Sequence, residues 1–243
     1  MKVKLFALVC ATVFSYSVLA TENKSLDPVK LINQQGTLIY SDSFDNQLSQ
    51  WVIEKIDTSV VDIKQGEMDI NDDGGTTVWF KHSIAAPSVI EFEGKVVVAG
   101  GKNDRGTDLN FFWMAQEPGS TDFFAKSKWR GGDMRKYDPM QLYYIGYGAN
   151  DNSTTRFRRY PGDGTRPLLP QYDVIDQVFM NVPNTHTKIQ IVSLNEGTYV
   201  YANGKKLYFI DGEKEFNKGY FGFRTWKSHV AIDNFKVYSL AML

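Results

Sequence analysis

The sequence predicts an all-β protein built as an antiparallel two-sheet sandwich. Three observations carry this. Phe, Trp and Tyr make up 14% of the chain, which suits a large β core or a sugar-stacking surface. Short runs alternating between β-branched or aromatic and polar residues recur with turns about every 8 to 12 residues. No stretch of about ten residues keeps the apolar spacing of an amphipathic helix.

The chain opens on a secretory pattern over residues 1–20. Lys2 and Lys4 precede a mostly apolar run from Leu5 to Leu19, and Val18-Leu19-Ala20 supplies a small-residue cleavage site. We therefore expect a cleaved export signal and a periplasmic or secreted product. The only cysteine, Cys10, falls inside that segment, so disulfides, thiolate nucleophiles and cysteine metal sites are excluded from the remainder. Without Lys2 and Lys4 the chain carries three more acidic than basic residues, which argues against nucleic-acid binding. No second apolar stretch approaches membrane length, so no membrane partner is expected.

Residues 21–36 read as a polar lead-in with weak helical character, and residues 37–243 as one domain. Strands are expected at Leu38–Asp42, Trp51–Glu54, Ser59–Ile63, Glu67–Ile70, Thr76–Phe80 and Ser88–Val98. They continue at Asp108–Ala115, Gln141–Gly148, Thr154–Tyr160, Thr187–Leu194, Thr198–Ala202, Lys206–Asp211, Gly219–Thr225 and His229–Ser239. Asn203-Gly204 is the turn of the clearest hairpin, since both residues tolerate positive backbone angles. The turn-rich segments Gly119–Tyr137 and Gly162–Pro183 read as long loops, which on a sandwich usually carry function.

The segment YYIGYGANDNSTTRFRRY, residues 143–160, is the chief candidate site. With Phe157 turned inward, Arg156, Arg158 and Tyr160 share the opposite face. Two guanidinium groups beside phenols suit a sugar carboxylate, which arginine grips with two parallel bonds. Asn150, in the NDNST turn, borders them. The alternative is a solvated sheet whose arginines pair with Asp108 or Asp138. Asn103, Arg105 and Trp113, in GGKNDRGTDLNFFWMA, are further candidate sugar contacts. So are Arg224 and Trp226 in the C-terminal segment, where His229 is the histidine with an arginine, a tryptophan and a lysine nearby.

No GxSxG elbow and no HExxH or comparable metal spacing occurs. Glu91 and Glu93 are the carboxylates a glycoside hydrolase would use. Asp45 and Asp233, near the two chain ends, read as hydrogen-bonding carboxylates or, alternatively, as ligands of a structural calcium. No other cofactor or metal is expected.

SDSFDNQLSQWVIE and GYFGFRTWKSHVAIDNFKVY resemble the two edges of a concanavalin-like β-jelly roll. The middle, from NDRGTDLNFFWMA through YYIGYGANDNSTTRFRRYPGDGTRPLL, resembles a domain-of-unknown-function family of secreted bacterial jelly-roll proteins. The resemblance spans nearly all of residues 37–239 and implies association with the degradation of pectin, ulvan and similar uronate-containing polysaccharides. Polysaccharide lyases, oligosaccharide dehydratases, sugar-binding modules and glycoside hydrolases share the fold, which does not select among them.

The residues and the resemblance together point to a carbon–oxygen lyase acting by β-elimination on an acidic oligo- or polysaccharide. Arg156 and Arg158 would neutralise the uronate carboxylate. His229 or a tyrosine would take the C5 proton, and Tyr143, Tyr147 or Tyr160 would protonate the leaving oxygen. A non-catalytic carbohydrate-binding module and a glycoside hydrolase are the alternatives.

Overall fold

A computed structural model describes residues 26–241. The expected export signal and the first part of the lead-in lie outside the described residues. The rest of the lead-in forms one short helix, α1 (Pro28–Gln35). Asp27 caps it, accepting hydrogen bonds from the Val29 and Lys30 amides at 2.9 and 3.1 Å, and Pro28 occupies the first turn, where no amide hydrogen is needed.

The sandwich is built from sixteen strands: β1 (Gly36–Asp42), β2 (Trp51–Lys55), β3 (Val60–Lys64), β4 (Glu67–Asn71), β5 (Thr76–Phe80), β6 (Ile84–Ala85), β7 (Ser88–Val96) and β8 (Asn110–Gln116) in the first half. The second half supplies β9 (Gln141–Gly148), β10 (Thr154–Pro161), β11 (Leu168–Val174), β12 (Thr187–Ser193), β13 (Gly197–Ala202), β14 (Lys205–Asp211), β15 (Lys218–Thr225) and β16 (His229–Leu240). Every pairing is antiparallel. One sheet runs β14-β13-β12-β7-β16-β4-β3, with β1 also paired to β16. The other runs β11-β10-β9-β8-β15-β5-β2, with β6 on β15.

Each expected strand is present with its ends moved by no more than two residues. The segment Gly162–Pro183 is not a plain loop, however. It contains β11, which pairs with β10 at the sheet edge, where Pro170 is tolerated because an edge strand has a row of amides without partners. The Asn203-Gly204 turn adopts the expected positive φ values of 49° and 74°.

Between the sheets lies an aromatic core containing Trp51, Phe80, Phe92, Phe111, Trp113, Phe157, Phe221, Phe223 and Phe235, all buried. Tyr143 and Tyr147 belong to it as well, because they are in phase with Ile145 and Phe157 on their strands. Tyr143 stacks on Phe216 at 4.2 Å between ring centres. Three residues read as site candidates, Tyr143, Tyr147 and Trp113, therefore point into the core and away from any sugar.

A second apolar cluster lies on the outer face of the β8–β9–β15 sheet. There Trp79, Phe112 and Leu142 are roofed by Phe123, Tyr137 and Met140 from the segment 117–140. A buried ionic network locks that roof. Arg130 donates to both Glu54 oxygens and to Glu117 at 2.7 to 3.1 Å, and the Tyr137 hydroxyl donates to Glu54 at 2.6 Å. The roof covers part of the sheet face and leaves the rest open.

Candidate functional site

The open part of that face is a cavity of about 530 Å³. Its floor follows from strand register. Arg158 lies opposite Tyr144, and Tyr144 opposite Phe112, so the three share one row across β10, β9 and β8. In the neighbouring row Arg156 lies opposite Gly146, and Arg224 opposite Asn110. Gly146 is what gives the floor its depth: a Cβ there would stand 3.0 Å from the Tyr144 hydroxyl.

Three turns form the rim. The first, residues 97–109, brings Arg105 and Asp108, the latter at φ +67°. The second is the Asn150-Asp151-Asn152 turn, whose residues all take left-handed φ values between 51° and 61°, which Asn and Asp tolerate best. The third joins β15 to β16 and carries Trp226, 48% exposed. Arg105 ties the three together: its guanidinium donates to the Trp226 and Lys227 carbonyls at 3.3 and 3.2 Å, pairs with Asp151, and lies 5.6 Å from the Trp226 ring centre.

The lining is strongly cationic, with Arg105, Arg156, Arg158, Arg166 and Arg224 against Asp108 and Asp151. Arg156 pairs with Asp173 at 3.2 Å and Arg166 with Asp138 at 3.6 Å. Arg158 and Arg224 have no carboxylate within 4.0 Å among the described residues. Arg158 donates to the Arg166 carbonyl at 2.7 Å. Arg224, only 2% exposed, donates to the Gly132 carbonyl at 2.6 Å and to Thr77 at 3.2 Å. Both bonds leave from Nη1 and go to neutral acceptors, so burying this cation is costly and an arriving anion would offset the cost.

Burial pushes the Asp108 carboxyl up, and the Asp151 charge adds to this; the hydrogen bond from Asn110 at 3.1 Å and the charges of Arg105 and Arg224 pull it part of the way back. Burial also raises the Tyr144 and Tyr160 phenols, so both stay protonated; Arg166 beside Tyr160 offsets part of its shift. The side-chain oxygen of Asn110 is buried without a hydrogen-bond partner.

The structure thus brings together Arg105, Asn150, Arg156, Arg158, Tyr160, Arg224 and Trp226 of the sequence candidates. It places Asn103 elsewhere, donating to Asn71 and Asp73 at 2.7 and 2.8 Å. His229, expected as the base, begins β16 in the other sheet and is held between Asp69 and Asp104 at 2.7 and 2.8 Å. It is not part of the cavity lining. Glu91 and Glu93 sit on β7 of that other sheet, where Glu91 accepts from Gln190 at 3.0 Å and Glu93 from Asn234 at 3.1 Å.

Tyr144, Asp108, Asn110 and Arg166 were missed as site residues. Tyr144 was readable, because Ile145 fixes the inward phase of β9 and so turns its neighbour outward. Among the described residues no group of three or more His, Cys, Asp or Glu is arranged to hold a metal ion. Asp45 accepts from Ser43 at 2.6 Å and Asp233 from Asn234 at 2.6 Å.

Fold and comparison agree on the class. The chain superposes on a Bacillus subtilis protein of unknown function with a galectin-like fold (TM-score 0.66, 11% identity, 86% of this chain and 99% of that one). It also superposes on the carbohydrate-binding module CBM66 from Bacillus subtilis (TM-score 0.53, 10% identity, 78% and 96%). A prokaryotic β-1,3-1,4-glucanase (lichenase) from a mouse hindgut metagenome matches too (TM-score 0.52, 12% identity, 83% and 99%). At these identities the likeness establishes a galectin-like or concanavalin-like jelly roll, shared by sugar-binding modules and glucanases. Residues 70–235 match the family described as Domain of unknown function (DUF6250), and the chain belongs to that family. No curated protein matches it.

Proposed function

We propose that the protein is an exported carbon–oxygen lyase that acts by β-elimination on a uronic acid residue of an acidic saccharide. The observation that carries this is the pair Arg158 and Arg224, cations lining the cavity without a carboxylate partner among the described residues. A sugar carboxylate supplies the missing charge, and Trp226 at the rim offers a ring face to the sugar.

In the reaction the arginines neutralise the uronate carboxylate, which acidifies the proton at C5. Asp108, poised by burial toward a higher pKa, takes that proton. The electron pair forms the C4–C5 double bond, the C4–oxygen bond breaks, and Tyr144 or Tyr160 gives its proton to the leaving oxygen. If C4 carries another sugar, the product is a cleaved chain; if it carries hydroxyl, water leaves and the enzyme is a dehydratase. Incubation with pectin and ulvan oligosaccharides tests this by the absorbance of the conjugated alkene. The expected result is a rise that Asp108→Asn removes, and no rise on any uronate overturns it.

A second reading, a non-catalytic binding module, draws on the structural likeness to CBM66. It expects uronate binding by calorimetry with no unsaturated product.

A further inference from the structure

We propose that His229 is a positioning residue: doubly protonated between two carboxylates, it pins the rim turn 97–109 to the opposite sheet and so holds Arg105 and Asp108 in place. The role follows from where its two partners sit. Nε2 meets Asp69 on β4 at 2.7 Å, and Nδ1 meets Asp104 at 2.8 Å, one residue before Arg105. An imidazole bonded to a carboxylate at each nitrogen must donate at both, which only the cation does. The clamp is shielded, with side-chain exposures of 13% for His229, 9% for Asp69 and 4% for Asp104.

The clamp reaches the cavity on both sides of His229. Asp104 also accepts the Ala99 and Gly101 amides at 2.8 and 2.9 Å, so it organises the turn from within. The β15–β16 turn just before His229 carries Trp226, and the Lys227 amide donates to the buried Asp72 at 3.2 Å. Releasing Asp104 therefore loosens residues 99–104 and the Arg105 that follows them, while Asn103 stays bonded to Asn71 and Asp73, Thr107 to Gly148, and the Trp226 turn to Asp72.

Further charged groups lie on the elements around the clamp. Lys64 on β3 bonds Asp69 at 2.5 Å, Lys95 on β7 bonds Glu67 at 2.5 Å, and His186 bonds Glu67 at 2.5 Å. Lys64, Glu67, Asp69 and Lys95 share one hollow with His229, and Asp104 closes it from the rim turn. The hydrogen bond it donates to Asp69, helped by that to Asp104, raises His229 above its ordinary value near 6.5 against the pull of burial. Burial alone would raise Asp69 and Asp104, but their hydrogen bonds hold both below 3.8. The clamp is thus at full strength between these ordinary values. It is lost as pH rises through the raised His229 value, or falls through the lowered carboxylate values.

This inference rests on reading the cavity as the site, but its test needs no sugar. On the full chain, the His229 imidazole is titrated by NMR while amide hydrogen exchange of residues 99–108 and Trp226 fluorescence are followed. Protection in that turn, taken relative to the intrinsic base-catalysed rate at each pH, is expected to fall about tenfold as His229 loses its proton, with a fluorescence change as Arg105 leaves the indole. His229→Gln should show the lowered protection at every pH, and His186→Gln should keep the wild-type profile. Protection that stays flat through the His229 titration overturns the proposal. Should His229→Gln fail to fold, the wild-type comparison decides alone. Absence of uronate binding would count against the lyase reading and leave this result untouched.

Discussion

Arg224 is a buried cation whose partners are a carbonyl, a hydroxyl and the Tyr137 ring, 5.6 Å away. Because no carboxylate lies within 4.0 Å of it among the described residues, its removal should cost affinity more than stability. Arg224→Gln is expected to weaken uronate binding by roughly tenfold to a hundredfold, the worth of a charged hydrogen bond, while unfolding free energy changes by about 1 kcal/mol or less. Calorimetry and denaturant melts separate the two. Asp108 makes the complementary prediction. Its raised pKa means that the fold favours the protonated form, so its contribution is largest below its ordinary value near 3.8 and is lost as pH rises through the raised value. Asp108→Asn should therefore gain stability relative to wild type on going from acid to neutral pH, measured as midpoints of urea unfolding.

The segment 117–140 shows how an irregular element is held. Its roof residues Phe123, Tyr137 and Met140 are apolar, but it is locked by Arg130, fully buried between Glu54 and Glu117. Arg130→Met strands two buried carboxylates and should destabilise the protein by about 3 to 5 kcal/mol, read by thermal or denaturant unfolding. Such an element was hardly legible in sequence. The strands were, because alternation marks them and their ends fell within two residues. β11 was not, since Leu168-Leu169-Pro170 reads as a break and only its pairing with β10 makes it a strand. Likewise the arginine face of β10 followed from Phe157, whereas the place of His229 in the sheet away from the cavity could not be read from its arginine and tryptophan neighbours. Local sequence gave the phase of a side chain within its strand; which sheet that strand joins is a long-range fact.

On the scale of the whole molecule, one layer face is devoted to the site and the other sheet steadies it. The cavity's cationic excess is concentrated on one side of a chain whose formal charge is only −1. Binding should therefore be selective by charge and not by sugar shape alone. Galacturonate at about 100 times its Kd should stabilise the protein by about 2.7 kcal/mol, and galactose at the same concentration should not, as thermal melts will report. Because the unpaired arginines are sheltered, added salt should weaken this effect less than it weakens surface ion pairs.

Arg105 has a consequence for ligand exchange. Already claimed by Asp151 and by two carbonyls of the neighbouring turn, it cannot greet an incoming acid without surrendering one of them. Asp151 thus acts as a tethered competitor at the doorway, and occupancy reflects a contest between an internal and an external anion. Such a contest trims residence time as much as affinity.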